Sequence, residues 1–144
     1  MNKILSIDYG LKRTGLAYAE EPLNIALSLI TINTNEIFNY LDNYFKSNKV
    51  TKIIIGEPKS LGGGSTDSSK LIYGFQEKIS KKYAAIKVEL YDERFTSKIA
   101  RQVLIKSGVK KNKRKNKEIL DRISAVIILQ DYLKYQSFSK SSKT

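Results

Sequence analysis

The sequence contains no cysteine and no histidine. Without cysteine the chain can form neither disulfide bonds nor thiolate metal sites, which fits a reducing cytosol. Without histidine it lacks the usual general base and the usual protein ligand for zinc. Any acid–base or metal chemistry must therefore use carboxylates, lysines, tyrosines or water.

Long hydrophobic runs are also missing from the chain. No apolar stretch approaches the roughly 20 residues that span a bilayer. The first residues, Met1-Asn2-Lys3, lead directly into a short strand-like run that contains an Asp. We therefore expect no signal peptide and no membrane contact, and we expect a cytoplasmic location.

Acidic residues are few compared with basic ones. The chain has 14 Asp and Glu and 26 Lys and Arg, which gives a net charge of +12. Such an excess indicates a polyanionic partner, and we expect nucleic acid. The hydrophobic fraction of 41% is that of a globular protein. We predict a single domain over residues 1–135 and a flexible Ser/Lys-rich tail over 136–144. The sequence does not indicate an oligomeric state.

The spacing of apolar residues predicts the element order β-β-β-α-β-α-β-α-α. The predicted strands cover residues 3–8, 14–20, 25–32, 53–55 and 86–91; the predicted helices cover 35–47, 67–82, a stretch from a cap at 96 or 97 to 107, and 117–135. Thr34 or Asn33 is a candidate cap for the first helix. Short joins between the first three strands favour an antiparallel meander.

This order predicts an α/β fold with a mixed five-stranded sheet. The first three strands would be antiparallel, and strands 1, 4 and 5 would be parallel, joined by right-handed crossovers with helices on both faces. In such sheets ligands gather at the carboxyl ends of the parallel strands. Asp8, Glu57 and Glu93 all follow those ends in this prediction.

Three carboxylates, those of Asp8, Glu93 and Asp121, are the candidate metal ligands. Held together they would bind a hard divalent cation through oxygen atoms. Each also has an ordinary structural explanation: Asp8 as a turn residue, Glu93 as a surface ion pair, and Asp121 as an acid favoured by the helix dipole. Glu57 is either an additional ligand or an exposed loop acid.

Basic residues flank these acids and are candidates for holding the phosphate backbone. A dense run between residues 110 and 117 is either a nucleic-acid contact or a solvated, mobile segment. Among the tyrosines, Tyr9 is a candidate for base stacking. The candidate nucleic-acid-binding residues are Lys12, Arg13, Arg94, Lys110, Lys111, Lys113, Arg114, Lys115, Lys117 and Arg122.

Three segments resemble the YqgF/RuvX family, and they occur in the family's order. Residues 7–17, IDYGLKRTGLA, look like its opening D-x-G-x-K-R-x-G-x-A, and residues 92–97, DERFTS, look like its D-E-R-[LF]-[ST]-[ST]. Residues 121–133, DRISAVIILQDYL, look like its closing helix, in which an Asp precedes A-x-x-I-L-Q-x-Y-L. The chain departs from the family at Glu57, where an apolar residue is more common, and in the Gly-rich loop 59–66.

The resemblance implies an RNase H-like fold and a metal-dependent nuclease. Members of the family are described as pre-16S rRNA nucleases and as Holliday junction resolvases. We therefore expect processing of precursor 16S rRNA in ribosome biogenesis, with junction-resolving DNA cleavage as the alternative. The family's acidic positions fall on Asp8, Glu93 and Asp121, which would be catalytic and would bind Mg²⁺ or Mn²⁺. An alternative of another class is a non-catalytic nucleic-acid-binding module.

Overall fold

A computed structural model of the chain describes residues 2–57, 67–92 and 123–136. Residues 123–136 are helical, and we label this segment α3. Within these three ranges no helix has the length and apolar character that crossing a bilayer requires. The other elements are β1 (Lys3–Asp8), β2 (Arg13–Glu20), β3 (Leu27–Asn33), a 3₁₀ turn (Thr34–Glu36), α1 (Ile37–Ser47), β4 (Val50–Glu57), α2 (Asp67–Lys82) and β5 (Lys87–Asp92).

The five strands form one sheet in the order β3-β2-β1-β4-β5. β1 is antiparallel to β2, and β2 is antiparallel to β3. β4 lies parallel to β1 on one side and to β5 on the other. The predicted fold class is therefore confirmed, and β1 occupies the centre of the sheet.

Strand alternation divides the core into two layers, because successive side chains point to opposite faces. One face is covered by α1 and α2, and the other is covered by α3. The first layer is built around Leu5, Ile7, Leu16, Leu41, Ile53, Ile55 and Ile79. The second is built around Ile4, Ala17, Ala19, Ile54, Ala125, Ile128 and Leu129. The small alanines of β2 in this second layer leave room for a helix to lie directly on the sheet.

Three polar contacts fix the direction of α3. The hydroxyl of Ser6 donates a 2.6 Å hydrogen bond to the carbonyl oxygen of Ala125. About two turns along the helix, the hydroxyl of Tyr132 accepts a 2.6 Å hydrogen bond from Lys52, which pairs with Ile4. On the other flank, Gln130 accepts a hydrogen bond from the backbone N–H of residue 26. α3 passes from the level of Ser6 to that of Ile4, so it runs antiparallel to β1.

The start of the first helix differs from the prediction. A 3₁₀ turn occupies Thr34–Glu36, and α1 begins only at Ile37. Neither Asn33 nor Glu36, the residues that precede these two elements, makes a side-chain capping hydrogen bond. The predicted cap at Thr34 or Asn33 is therefore wrong, because the Thr34 hydroxyl is engaged elsewhere.

Other element bounds differ because tertiary pairing extends or shortens a strand. β4 runs over Val50–Glu57 rather than 53–55, since it is hydrogen-bonded to β1 and to β5 along most of its length. β3 begins at Leu27 rather than residue 25, three residues after the left-handed turn at Asn24, whose φ is 52°. The predicted helix ending at residue 107 and the predicted tail beyond 136 lie outside the described residues.

We expect Ser6→Ala to lower the free energy of unfolding by about 1 kcal/mol, because it removes a buried hydrogen bond between the sheet and α3. The matched control is Ser28→Ala, which changes an exposed serine of β3 and should have little effect. Urea denaturation of the three proteins measures the difference. Equal midpoints for the two variants would show that the Ser6–Ala125 bond does not hold α3 in place.

Candidate active site

Asp8 is the last residue of the central strand β1. Alternation along β1 places its side chain on the α3 face, together with Ile4 and Ser6. Its partner on β2 is Gly15, and the partner of Gly15 on β3 is Thr31. Gly15 is itself buried, and the carboxylate of Asp8 beside it is half-buried.

The chain segment that follows β1 contains two basic residues. Lys12 and Arg13 are both exposed, and they follow the carboxylate by four and five residues. The turn is tight at Gly10, where a Cβ atom would collide with the carbonyl oxygen of Arg13. This glycine is required for the chain to reverse within so few residues. We call residues 9–13 the cation turn.

Thr34 fastens the cation turn from the far side of the sheet. Its hydroxyl donates a 2.6 Å hydrogen bond to the carbonyl oxygen of Gly10, and its backbone N–H donates to the carbonyl oxygen of Lys12 at 3.0 Å. A hydroxyl has one proton, so the buried Thr14 hydroxyl must be the donor in the 2.9 Å contact with Thr34. The sequence pattern at Thr34 indicated a helix cap and concealed this role.

Tyr9 anchors the same turn to α2. Its ring stacks on the ring of Phe75, with centroids 4.0 Å apart and planes inclined by 20°. Phe75 is buried in the layer beneath α1 and α2. One face of the Tyr9 ring is thus used for packing on the core, and its role in base stacking stays a prediction.

Glu57 lies at the end of β4 but on the face opposite Asp8. Alternation groups it with Ile53 and Ile55 beneath α2, and the hydroxyl of Tyr73 on α2 donates a hydrogen bond to its carboxylate. That hydrogen bond, which stabilises the neutral phenol, raises the pKa of Tyr73. The structure therefore does not bring the Glu57 side chain together with Asp8. In the three described ranges no group of three or more acids is close enough to hold a metal ion.

On the α3 face, β5 is held by a charged cluster around Glu89. Its carboxylate accepts a 2.8 Å hydrogen bond from Tyr132 and lies 3.0 Å from the ammonium of Lys87 and 3.9 Å from that of Lys52. Partial burial raises the pKa of Glu89, but the hydrogen bonds from Lys87 and Tyr132 and the charges of both lysines outweigh it, so its pKa is lowered. Tyr91 packs on the same face, against Tyr132. Alternate residues of β5, Glu89 and Tyr91, therefore point toward α3 up to the end of the strand at Asp92.

An open cleft of about 420 Å³ borders the carboxyl end of β5. Its walls come from β5 and from the second half of α3. The cleft is lined by Glu89, Leu90, Tyr91, Asp92, Tyr132 and Tyr135.

The remaining predicted site residues lie outside the described residues. These are the candidate acids Glu93 and Asp121 and the candidate phosphate-binding residues Arg94, Lys110, Lys111, Lys113, Arg114, Lys115, Lys117 and Arg122. Their roles stay predictions. Of the predicted site, the structure describes Asp8, Lys12, Arg13 and Glu57.

We expect Thr34→Val to destabilise the protein by about 1–3 kcal/mol, because the isosteric change leaves the Gly10 carbonyl without its donor. Thr31→Val is the matched control, since the Thr31 hydroxyl oxygen is buried without a hydrogen-bond partner. Removing that hydroxyl should be neutral or stabilising. Urea unfolding compares the two, and equal losses would show that the Thr34 bonds do not hold the cation turn.

Comparison with known proteins places the chain among nucleases. A family model described as "RuvX: Holliday junction resolvase" matches residues 2–135. Two curated relatives are both named "Putative pre-16S rRNA nuclease". The one from Flavobacterium johnsoniae is 46% identical over 138 residues, covering 96% of this chain and 100% of the relative. The one from Flavobacterium psychrophilum is 47% identical over 133 residues, covering 92% and 97%.

A solved structure shares the fold. It is T. thermophilus RuvC in complex with a Holliday junction substrate, with a TM-score of 0.55 and 12% sequence identity. The match covers 95% of this chain and 96% of that chain. At this identity the likeness is one of architecture, and it confirms the RNase H-like fold.

Proposed function

Because the chain belongs to the RuvX family, it is a nuclease, and we propose that it hydrolyses phosphodiester bonds in precursor 16S rRNA with a divalent cation. The observation that carries this proposal is the position of Asp8, a carboxylate at the carboxyl end of the central strand, on the face covered by α3 and beside two exposed cations. The shared name of the relatives supports the substrate. The net charge of +12 fits a polyanion.

Asp121 is the second proposed acid, and the direction of α3 supports it. Asp121 precedes Ala125 by four residues, which is about 6 Å along a helix. Asp8 follows Ser6 by two residues, which is about 6.6 Å along a strand. Ser6 is bonded to Ala125, and α3 is antiparallel to β1. The path from Ala125 back to residue 121 and the path from Ser6 on to Asp8 therefore have nearly the same length and the same direction. A helix that continues back to residue 121 would bring the two carboxylates together.

Glu93 is the third proposed acid, and the alternation of β5 supports it. Glu89 and Tyr91 both contact α3. The next residue of the same parity is Glu93, one position after β5 ends at Asp92. β5 is parallel to β4, and β4 is parallel to β1, so its carboxyl end lies at the same edge of the sheet as Asp8.

The donor set fits Mg²⁺ or Mn²⁺. The three proposed ligands offer hard carboxylate oxygens, and the chain has no histidine or cysteine to favour a softer metal. A bound divalent cation supplies Lewis-acid polarisation of the phosphate and activation of water near neutral pH.

The chain's own basic residues would hold the substrate. We assign phosphate contacts to Lys12 and Arg13, which the Thr34 bonds and the Tyr9–Phe75 stack hold next to Asp8. Arg94 and Arg122 are proposed to contact neighbouring phosphates, with the basic run 110–117 further along the backbone. We propose no metal-binding role for Glu57, because its partner is Tyr73 on the opposite face. Processing of precursor rRNA would take place in the cytoplasm.

We expect Asp8→Asn to reduce cleavage of a precursor 16S rRNA fragment roughly a hundredfold or more, because it removes a ligand charge and keeps the shape. Glu57→Gln is the matched control and should keep activity near that of the unmodified protein. Single-turnover cleavage at saturating Mg²⁺ compares them. An Asp8→Asn enzyme within a few-fold of the unmodified protein, or full activity after chelation with EDTA, would contradict the proposed chemistry.

Metal binding also has a readout that does not depend on activity. Converging carboxylates repel one another, so millimolar Mn²⁺ should raise the thermal midpoint of the unmodified protein through linkage. The rise should be smaller in Asp8→Asn than in Glu57→Gln. A midpoint that Mn²⁺ leaves unchanged would show that the acids do not converge.

We expect replacement of the six basic residues between 110 and 117 by Gln to weaken RNA binding for all sequences alike. Every phosphate group that the variant no longer binds should flatten the slope of log K against log salt by about 0.7 on single strands. The matched control is Lys78→Gln with Lys81→Gln, two exposed lysines of α2. Fluorescence titrations over a range of salt measure the slopes. An unchanged slope would mean that the run is a solvated segment and that the substrate follows another path.

Cleavage of branched DNA is a second candidate function. The description of the matching family as a Holliday junction resolvase favours it. Parallel assays on precursor rRNA, duplex DNA and a four-way junction separate the two substrates. Family membership favours either nuclease over a non-catalytic binding module.

A further inference from the structure

The basic residues of this chain are unevenly distributed. Between Arg13 and Lys46 there is no Lys or Arg, although the chain has 26 of them. The same stretch contains four acids, namely Glu20, Glu21, Glu36 and Asp42. Glu20 and Asp42 are paired with Lys3 and Lys82, which come from other parts of the chain. Glu21 and Glu36 are the two acids whose charge is left for a partner, and acids of this kind are unsuited to a phosphate backbone.

This cation-free stretch also exposes large apolar side chains. Ile25, Leu27 and Ile30 are 56%, 50% and 37% exposed. Leu27 and Ile30 pair with Tyr18 and Leu16 on β2, so they lie on the face that α1 and α2 cover elsewhere. Ile25 precedes the strand and is exposed, whereas the intervening residue 26 is buried against α3. We call Ile25, Leu27 and Ile30 the β3 stripe.

The β3 stripe is uncovered because the helix layer stops short of it. The buried side chains of α1, Ile37 and Leu41, pack in the cluster with Leu5, Ile7 and Leu16, which belong to β1 and β2. α2 packs on β4 and β5, which lie toward the other edge of the sheet. Within the described residues β3 is the last strand of the sheet, and no described strand pairs with the backbone groups of its outer edge.

Edge strands are normally protected by lysine or proline, and Leu27–Asn33 contains neither. The strand does carry a bulge at Leu29, which divides its regular hydrogen-bonding edge into two shorter parts. An exposed apolar strip with a pairing edge is typical of a site that binds an extended peptide segment by strand addition.

We propose that the β3 stripe binds an extended segment of a partner protein in which apolar residues alternate with lysine or arginine. The apolar side chains would pack on the stripe. The basic ones would reach Glu21 and Glu36, which are exposed near the two ends of β3 and form no ion pair within the described part of the chain.

A second copy of this chain fits the site less well. Two β3 strands paired about a twofold axis would bring the acidic ends of one near the acidic ends of the other. No Lys or Arg lies between Arg13 and Lys46 to compensate. Like charges opposite each other destabilise a strand pair, so the charge pattern favours a basic partner.

The probe is a fluorescein-labelled peptide of about ten residues that alternates valine with lysine, a length that spans a typical strand. Its counterpart replaces every lysine by glutamate. Anisotropy titrations use the full-length protein at moderate salt. The lysine peptide should bind in the micromolar range, despite the net positive charge of the protein, and the glutamate peptide should bind about tenfold or more weakly.

Variants locate the binding surface. Leu27→Ser should weaken binding of the lysine peptide about tenfold, because it removes an apolar anchor. Leu71→Ser, which changes a leucine of α2 with 44% exposure, is the matched control and should stay within about twofold. Glu21→Gln with Glu36→Gln should weaken binding and reduce its salt dependence, whereas Glu77→Gln on α2 should do neither. Unchanged circular dichroism and thermal midpoints confirm that each variant is folded.

Three results would overturn the proposal. The first is equal binding of the two peptides, and the second is equal loss in Leu27→Ser and Leu71→Ser. The third is a dimer in sedimentation velocity that Leu27→Ser dissociates, which would make a second copy the occupant. Cleavage by Leu27→Ser should match that of the unmodified protein, so the failure of this proposal is distinguishable from failure of the proposed nuclease site.

Discussion

The docking of α3 along the central strand is the constraint on which the rest of the structure depends. Ile4 packs against α3, Ser6 bonds to it, and Asp8 is the next residue of the same parity. The intervening residues, Leu5 and Ile7, are buried in the opposite layer. A shift of β1 by one residue would exchange the two sets and would bury Asp8 beneath α2. The apolar pattern of six residues therefore positions both the core and the proposed catalytic carboxylate.

Charge separation follows from the same geometry. A nuclease must concentrate acids for a metal and bases for phosphates without letting them neutralise one another. Here the strand end provides the acid, and the turn after it provides Lys12 and Arg13. The turn has no freedom to fold back, because Thr34 binds two of its carbonyl oxygens and Tyr9 is stacked on Phe75. These contacts hold the backbone of the turn in one conformation.

The sequence predicted the parts of this fold that depend on local pattern. Alternating apolar residues located β1 and the parallel strands. Apolar residues spaced four apart located α2 from Asp67 to Lys82. What it missed depends on contacts distant in sequence. Threonine is a common helix-capping residue, but the hydroxyl of Thr34 donates its hydrogen bond to the carbonyl oxygen of Gly10, 24 residues away. Glu57 shares a strand end with Asp8 but not a face, and only the register of β4 against β1 reveals this.

The proposed phosphate-binding surface and the β3 stripe differ in chemistry for a physical reason. A surface that binds phosphate must be cationic and hydrated, and its affinity falls with salt. A surface that binds a peptide strand needs apolar side chains and a pairing edge, and lysines there would disrupt both. The chain meets these demands by excluding Lys and Arg from β3, from most of α1 and from β2 beyond its first residue. In the proposed arrangement the substrate would lie at the carboxyl ends of β1 and β5, and the partner segment would pack on Leu27 and Ile30 of β3, away from Asp8.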